Sequence, residues 1–113
     1  MASQIAEAFG LVVRFRLRAG REEDFDRLTA ETVPLIHERE EGTLLYLCQR
    51  VDGSPTERIF YELYQDRDAF EAHEAQPHTK RFLAEREALL ESFDVDFLSP
   101  AQVAGSWIPA PKA

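Results

Sequence analysis

Two histidines, His73 and His78, stand in the densest run of aromatic and titratable side chains in the chain, Tyr61 to Phe82 (YELYQDRDAFEAHEAQPHTKRF). An imidazole titrates near neutrality, so either could take a proton from a phenol-like or carbonyl substrate. Tyr61 could offer its hydroxyl to a carbonyl or phenolate oxygen. The string HEAQPH is close to the zinc signature HExxH, but its histidines lie five positions apart, not four. Five helical residues rotate the second side chain by roughly 140°, and Pro77 interrupts the helix between them. No cysteine or third histidine stands nearby, so the spacing points away from a metal. Each residue has a plainer role open to it. His73 could pack under the sheet edge, His78 could serve the backbone of a helix start, and Tyr61 could be core.

These side chains need a frame, and the chain supplies one domain of 113 residues. Hydrophobic residues make up 44% and charged residues 30%, a globular composition. The formal net charge of −8 repels phosphate backbones and anionic lipid, so neither nucleic acid nor a membrane is expected as a partner. Cys48 is the only cysteine. With no intrachain disulfide possible, a cytoplasmic location is expected, and the cysteine, with no base nearby in sequence, reads as packing. The opening residues lack a basic region and a long apolar run, so no signal peptide is expected.

Hydropathy divides the chain into a leader (1–8), a folded domain (9–98) and a Pro- and Ala-rich arm (99–113). Phe9 to Arg18 alternates as a half-buried strand, with Phe9, Leu11, Val13, Phe15 and Leu17 on its inner side. Arg21 to Arg39 has helical period, with acids in its first turn and Pro34 inside, where a kink or a loosened last turn is expected. Gly42 reads as the stop. Thr43 to Val51 and Glu57 to Tyr64 read as strands joined at Asp52-Gly53-Ser54-Pro55. A short helix from Ala69, a break at Pro77, a second helix to about Glu91 and a strand from Ser92 to Leu98 follow. His37, late in the first helix, reads as surface. Trp107 and Ile108 are expected to dock somewhere.

Strand, helix, strand, strand, broken helix, strand is the α+β, ferredoxin-like βαββαβ arrangement, with strand order fourth, first, third, second. The phases then assign the two faces of the sheet. Tyr61 turns toward the helices, and Phe15, Leu47, Phe82 and Phe93 form the apolar wall of a pocket there. Arg14 and Arg16 lie on the reverse face, flanked by Glu62 and Tyr64 on one side and Asp94 on the other. That face also holds enough apolar surface to pack against a second copy of the chain.

The run Tyr61-Glu62-Leu63-Tyr64, then Asp66, Ala69-Phe70, His73, Pro77-His78 and Phe82, resembles the antibiotic biosynthesis monooxygenase family, in particular its small quinol-monooxygenase-like branch. Gly20, Phe25 and the Glu41-Gly42 junction are similar to the same family, and the likeness spans about Phe9 to Pro100. It implies a homodimeric α+β barrel with a cleft between each sheet and its own helices. It also implies oxidation of a quinol or polycyclic phenol by molecular oxygen without cofactor. Other members isomerise small carbonyl compounds, so an isomerase or tautomerase stays open, as does a dimer that only binds a small ligand. The haem-degrading branch has its ligating histidine where this chain has Leu83, which cannot bind iron. The anthrone oxidisers use a Trp and an Asn beside the cleft, whereas the only Trp here is Trp107 in the arm.

Overall fold

The computed structural model describes residues 7–106, and Trp107 and Ile108 lie outside them. Strand β1, Phe9–Leu17, buries alternate side chains down to Leu17. Helix α1, Glu22–Arg39, keeps Glu22, Glu23 and Asp24 at its positive end. It buries Phe25, Leu28, Thr32 and Ile36, the stripe that a 3.6-residue period places on one face. Pro34 sits inside α1 and the helix runs on to Arg39.

Strands β2, Thr43–Val51, and β3, Ser54–Tyr64, form a hairpin turned at Asp52-Gly53, where Gly53 has φ 79°. Gly42 does not end α1 by a left-handed turn; extended Glu40 does. Its lack of a side chain serves another purpose. A Cβ on Gly42 would lie 2.5 Å from the Ala69 methyl, so this glycine lets the start of β2 approach the next helix. That helix, α2, is Arg67–Glu74, capped by Asp66 Oδ1, which accepts the Ala69 N–H at 2.8 Å. Pro77 opens α3, Pro77–Arg86, where its missing N–H costs nothing. A single 3₁₀ turn, Glu87–Leu89, leads into β4, Leu90–Leu98.

The sheet is antiparallel in the order β2-β3-β1-β4, the expected ferredoxin-like topology, with the helices on one face. Phe15, Phe25, Phe60 and Phe82 fill the centre of that layer, their centroids 4.8–6.2 Å apart. Tilted and edge-on ring pairs of this kind add roughly 0.5–1.5 kcal/mol each beyond their buried area.

Two strands have the opposite phase to the one expected. Directly paired antiparallel residues share a face, and Val13 pairs with Phe60 while Leu11 pairs with Glu62. Phe60, Glu62 and Tyr64 are therefore buried on the helix side. Tyr61, paired with Val12, lies half-buried on the reverse face. The neighbouring strand follows: Tyr46 and Cys48 turn inward and Leu47, paired with Tyr61, outward. The buried face of β3 carries Arg58 as well, held by Asp26 of α1 at 3.0 Å.

Candidate active site

The helix-side layer has a polar end. Glu40, the first residue beyond α1, has a side chain only 3% exposed. Its Oε1 accepts from the Thr43 hydroxyl at 2.6 Å and pairs with His73 Nδ1 at 2.7 Å, while Oε2 pairs with His78 Nε2 at 2.5 Å. Burial pushes this carboxyl up, but the bonds from His73, Thr43 and His78 outweigh it, and the group sits below the usual glutamate range. An ionised Glu40 accepts at every oxygen contact, which places protons on His73 Nδ1 and His78 Nε2. His78 Nδ1 is buried without a partner, and on this tautomer it is a bare lone pair, not an orphaned N–H.

With Nδ1 committed, His73 turns Nε2 toward Glu62, whose Oε1 lies 3.9 Å away. Glu62 Oε1 also accepts the Tyr64 hydroxyl at 2.5 Å. Burial raises the Glu62 carboxyl, only partly offset by Tyr64 and His73. Burial likewise raises the Tyr64 and Tyr46 hydroxyls, helped by the charge of Glu62.

Of these groups, Tyr46, Glu62 and His73 border a cavity of about 220 Å³. Leu11, Val13 and Val95 line it from the sheet, Phe70 and His73 from α2, and Phe82 and Arg86 from α3. The Arg86 guanidinium lies over three rings, 4.6 Å from Phe93, 5.4 Å from Phe15 and 5.8 Å from Phe82. Among the described residues it makes no ion pair. Burial lowers its pKa against the pull of Tyr46 and Glu62. A desolvated cation beside apolar walls favours an anion or a polarised oxygen.

Of the residues singled out in sequence, His73 borders this cavity with Phe82, and Phe93 and Phe15 back Arg86. His78 is buried behind Glu40. Tyr61 and Leu47 are on the other face, so they line neither the cavity nor its wall. Glu62 and Tyr64 make the converse move, from the expected interface to the cavity side. Arg14, Arg16 and Asp94 stay on the reverse face, where Arg16 pairs with Asp94 at 2.7 Å. The acid beside Arg14 is Glu57, at 2.6 Å. Cys48 lies by Phe25 and Phe60, and burial pushes its thiol up to about 12, the setting of an unreactive cysteine. Among the described residues no group of three or more His, Cys, Asp or Glu side chains is arranged to hold a metal.

Glu40 and Arg86 carry roles that sequence reasoning did not assign. For Glu40 a signal existed: Leu28, Thr32, Ile36 and Glu40 recur at every fourth position, so the buried stripe of α1 ends in an acid.

The architecture and the cavity define an α+β domain of the ferredoxin-like type with a small polar site under its helices. Residues 8–85 match the antibiotic biosynthesis monooxygenase family model, and the chain belongs to that family. Solved structures agree on the fold. PA3566 from Pseudomonas aeruginosa is 25% identical, with a TM-score of 0.76 over 87% of this chain and 98% of its own. Rv0793 from Mycobacterium tuberculosis is 24% identical, with a TM-score of 0.76 over 87% and 99%. SnoaB from Streptomyces nogalater, described as a cofactor-independent oxygenase, is 21% identical, with a TM-score of 0.76 over 87% and 97%. No curated protein sequence matches the chain. No helix among the described residues is long and apolar enough to cross a membrane.

Proposed function

We propose that this protein is a monooxygenase that oxidises a small quinol or related phenol with molecular oxygen, without cofactor. The observation that carries the reading is a ring-lined cavity bordered by both a proton acceptor, His73, and a desolvated cation, Arg86. Family membership and the likeness to SnoaB, a cofactor-independent oxygenase, support the same chemistry. A void of about 150 Å³ accepts one benzene ring. A cavity of about 220 Å³ therefore favours a substituted or bicyclic ring over a polycyclic one.

The substrate supplies all the electrons. A hydroquinone and O₂ give a hydroxyquinone and water: one oxygen atom enters the ring, and the other leaves with two protons. Proton removal at the ring hydroxyl comes first, because the anion is the better reductant. His73, held by Glu40 at 2.7 Å, is the group on which that proton comes to rest, and Arg86 stabilises the oxyanion. His78, sealed behind Glu40, holds the carboxylate in place. Oxygen uptake against a panel of quinols tests the reading. The expected outcome is turnover that His73→Ala lowers by about 100-fold or more; no uptake with any quinol would remove it.

One observation favours a second reading. Glu62 and His73 face one cavity at 3.9 Å from each other, an arrangement that could also move a proton between the carbon and oxygen of a small carbonyl compound. Deuterium incorporation from D₂O into a ketone under argon would select this isomerase over the oxygenase.

The protein acts as a homodimer in the cytoplasm in this reading. Exposed Leu47, on the same face of the sheet as the Arg16–Asp94 and Arg14–Glu57 pairs, supports packing of two reverse faces, and the absence of a second cysteine suits a reducing compartment. Sedimentation as a monomer at micromolar concentration would discard the dimer.

A further inference from the structure

We infer that Glu62 is a catalytic residue: its outer carboxyl oxygen takes the proton from the hydroxyl of the bound ring, and His73 Nε2 receives that proton next. This deepens the oxygenase reading and rests on it.

The geometry separates the two oxygens of Glu62. Oε1 accepts from Tyr64 and faces His73 Nε2 at 3.9 Å. Oε2 has no hydrogen-bond partner among the described residues. It is also not sealed, because the one buried side-chain polar atom left without a partner among those residues is His78 Nδ1. Glu62 lines the cavity, and the assignment places its free oxygen on that side. A carboxyl that is nine-tenths buried yet keeps one oxygen for the cavity is a costly arrangement for a purely structural residue.

The surroundings suit a base. Tyr46 and Cys48 of β2, Tyr64 of β3, His73 and Glu74 of α2, and Arg86 of α3 are the titratable and charged groups that face it. The neighbouring strands β1 and β4 offer only Leu11, Val13, Val95 and Phe97 to this cavity. Burial raises Glu62 toward the pH at which the enzyme would work, which strengthens it as an acceptor. The carboxyl must then turn to close the 3.9 Å gap to His73 Nε2, and the imidazolium formed on transfer is stabilised by ionised Glu40 at 2.7 Å. The substrate anion is left to react with oxygen, and the protons leave in the product water.

The test uses the full chain with 1,4-dihydroxynaphthalene, measured as oxygen uptake across pH. Glu62→Gln keeps the size and an acceptor for Tyr64 but removes the base. It should lower kcat by about 100-fold with KM changed less than about threefold, since proton transfer and not binding is lost. The residual rate should rise with pH, as hydroxide or self-ionised quinol takes over. A ring made more acidic by two halogens should recover much of the loss.

A wild type active on the quinol with Glu62→Gln within about threefold of its kcat would overturn the inference and leave the oxygenase reading intact. A wild type inactive on every quinol would end both. Should Glu62→Gln fail to fold, Tyr64→Phe decides. The Tyr64 bond lowers Glu62, so its removal must move the acid limb of kcat to higher pH, and an unmoved limb overturns the assignment.

Discussion

Two glutamates lie buried in the same polar layer, and their surroundings treat them in opposite ways. The Glu40 side chain is 3% exposed and the Glu62 side chain 7%, so exposure does not tell them apart, although Glu62 is the more deeply surrounded. Donors do. Three donors converge on Glu40 and overcome its burial, and its pKa falls. A single hydroxyl serves Glu62, burial wins, and its pKa rises. The first sits where the layer is closed, the second where it opens on a cavity. A carboxyl whose bonding is complete holds α1, α2 and α3 together, whereas one left incomplete is free to exchange a proton.

The largest stability effect should come from the closed end. Glu40→Ala leaves two buried imidazoles and a threonine hydroxyl without their acceptor. Each buried donor left without its acceptor costs roughly 1–3 kcal/mol, and the losses together are measured as a shift in the urea unfolding midpoint. Glu40→Gln keeps one oxygen but turns an NH₂ toward a donor. A smaller loss of about 1–3 kcal/mol follows. If Glu40→Ala cost less than about 1 kcal/mol, the closed end would not be the joint between helices described above.

Next in size is a difference in pH dependence, and its sign differs for the two residues. Glu40 has a lowered folded pKa. The stability it lends is complete above its unfolded value near 4.5 and disappears as pH falls from there through the folded value. Glu62 has a raised folded pKa. Its contribution is complete below about 4.5 and is lost as pH rises through the folded value, so ionising it at neutral pH opposes folding. Urea midpoints taken across the acid and neutral range should show Glu40→Gln losing much of the acid sensitivity of the wild type. Glu62→Gln should instead gain on the wild type as pH rises. Two variants with slopes of the same sign would dissolve the contrast between the residues.

The same pair explains which parts of the molecule could be read in advance. In β1 the arginines at 14 and 16 oppose Phe15 and Leu17, so hydropathy names the buried face. In β4 Asp94 and Asp96 alternate with Phe93 and Val95 in the same way, and both strands have the phase expected of them, although Phe93 and Val95 on this edge strand stay exposed. In β3 hydropathy points the wrong way, because Arg58, Glu62 and Tyr64 lie on the buried face while Ile59 and Tyr61 lie on the other. Arg58 can be buried because Asp26 meets it, and Glu62 because the Tyr64 hydroxyl bonds it at the edge of the cavity. Strand β2 is apolar on both sides through Leu44, Leu45, Tyr46, Leu47 and Cys48, so it carries no phase of its own and takes that of β3. Element order and His73 were thus legible from local pattern. The inversion of Tyr61 and Glu62 was not, since it depends on register with β1, and local rules break down most where a site sets its own requirements.

The smallest expected effect concerns charge pairs that look as strong as those at Glu40 when judged by distance. Arg81 meets Glu85 at 2.5 Å and Glu31 at 2.8 Å, but all three side chains are about half exposed. Water already solvates each partner, and holding long side chains in one geometry costs entropy, so the gain nearly cancels. Arg81→Ala should leave the urea midpoint almost unchanged, and raising salt to about 0.5 M should erase whatever difference remains. Glu40→Ala, measured beside it, should keep its full loss in the same salt, because a sealed pair is poorly screened. Equal salt sensitivity in both variants would mean that solvent reaches Glu40, and the distinction between the closed and open ends of the layer would fail with it.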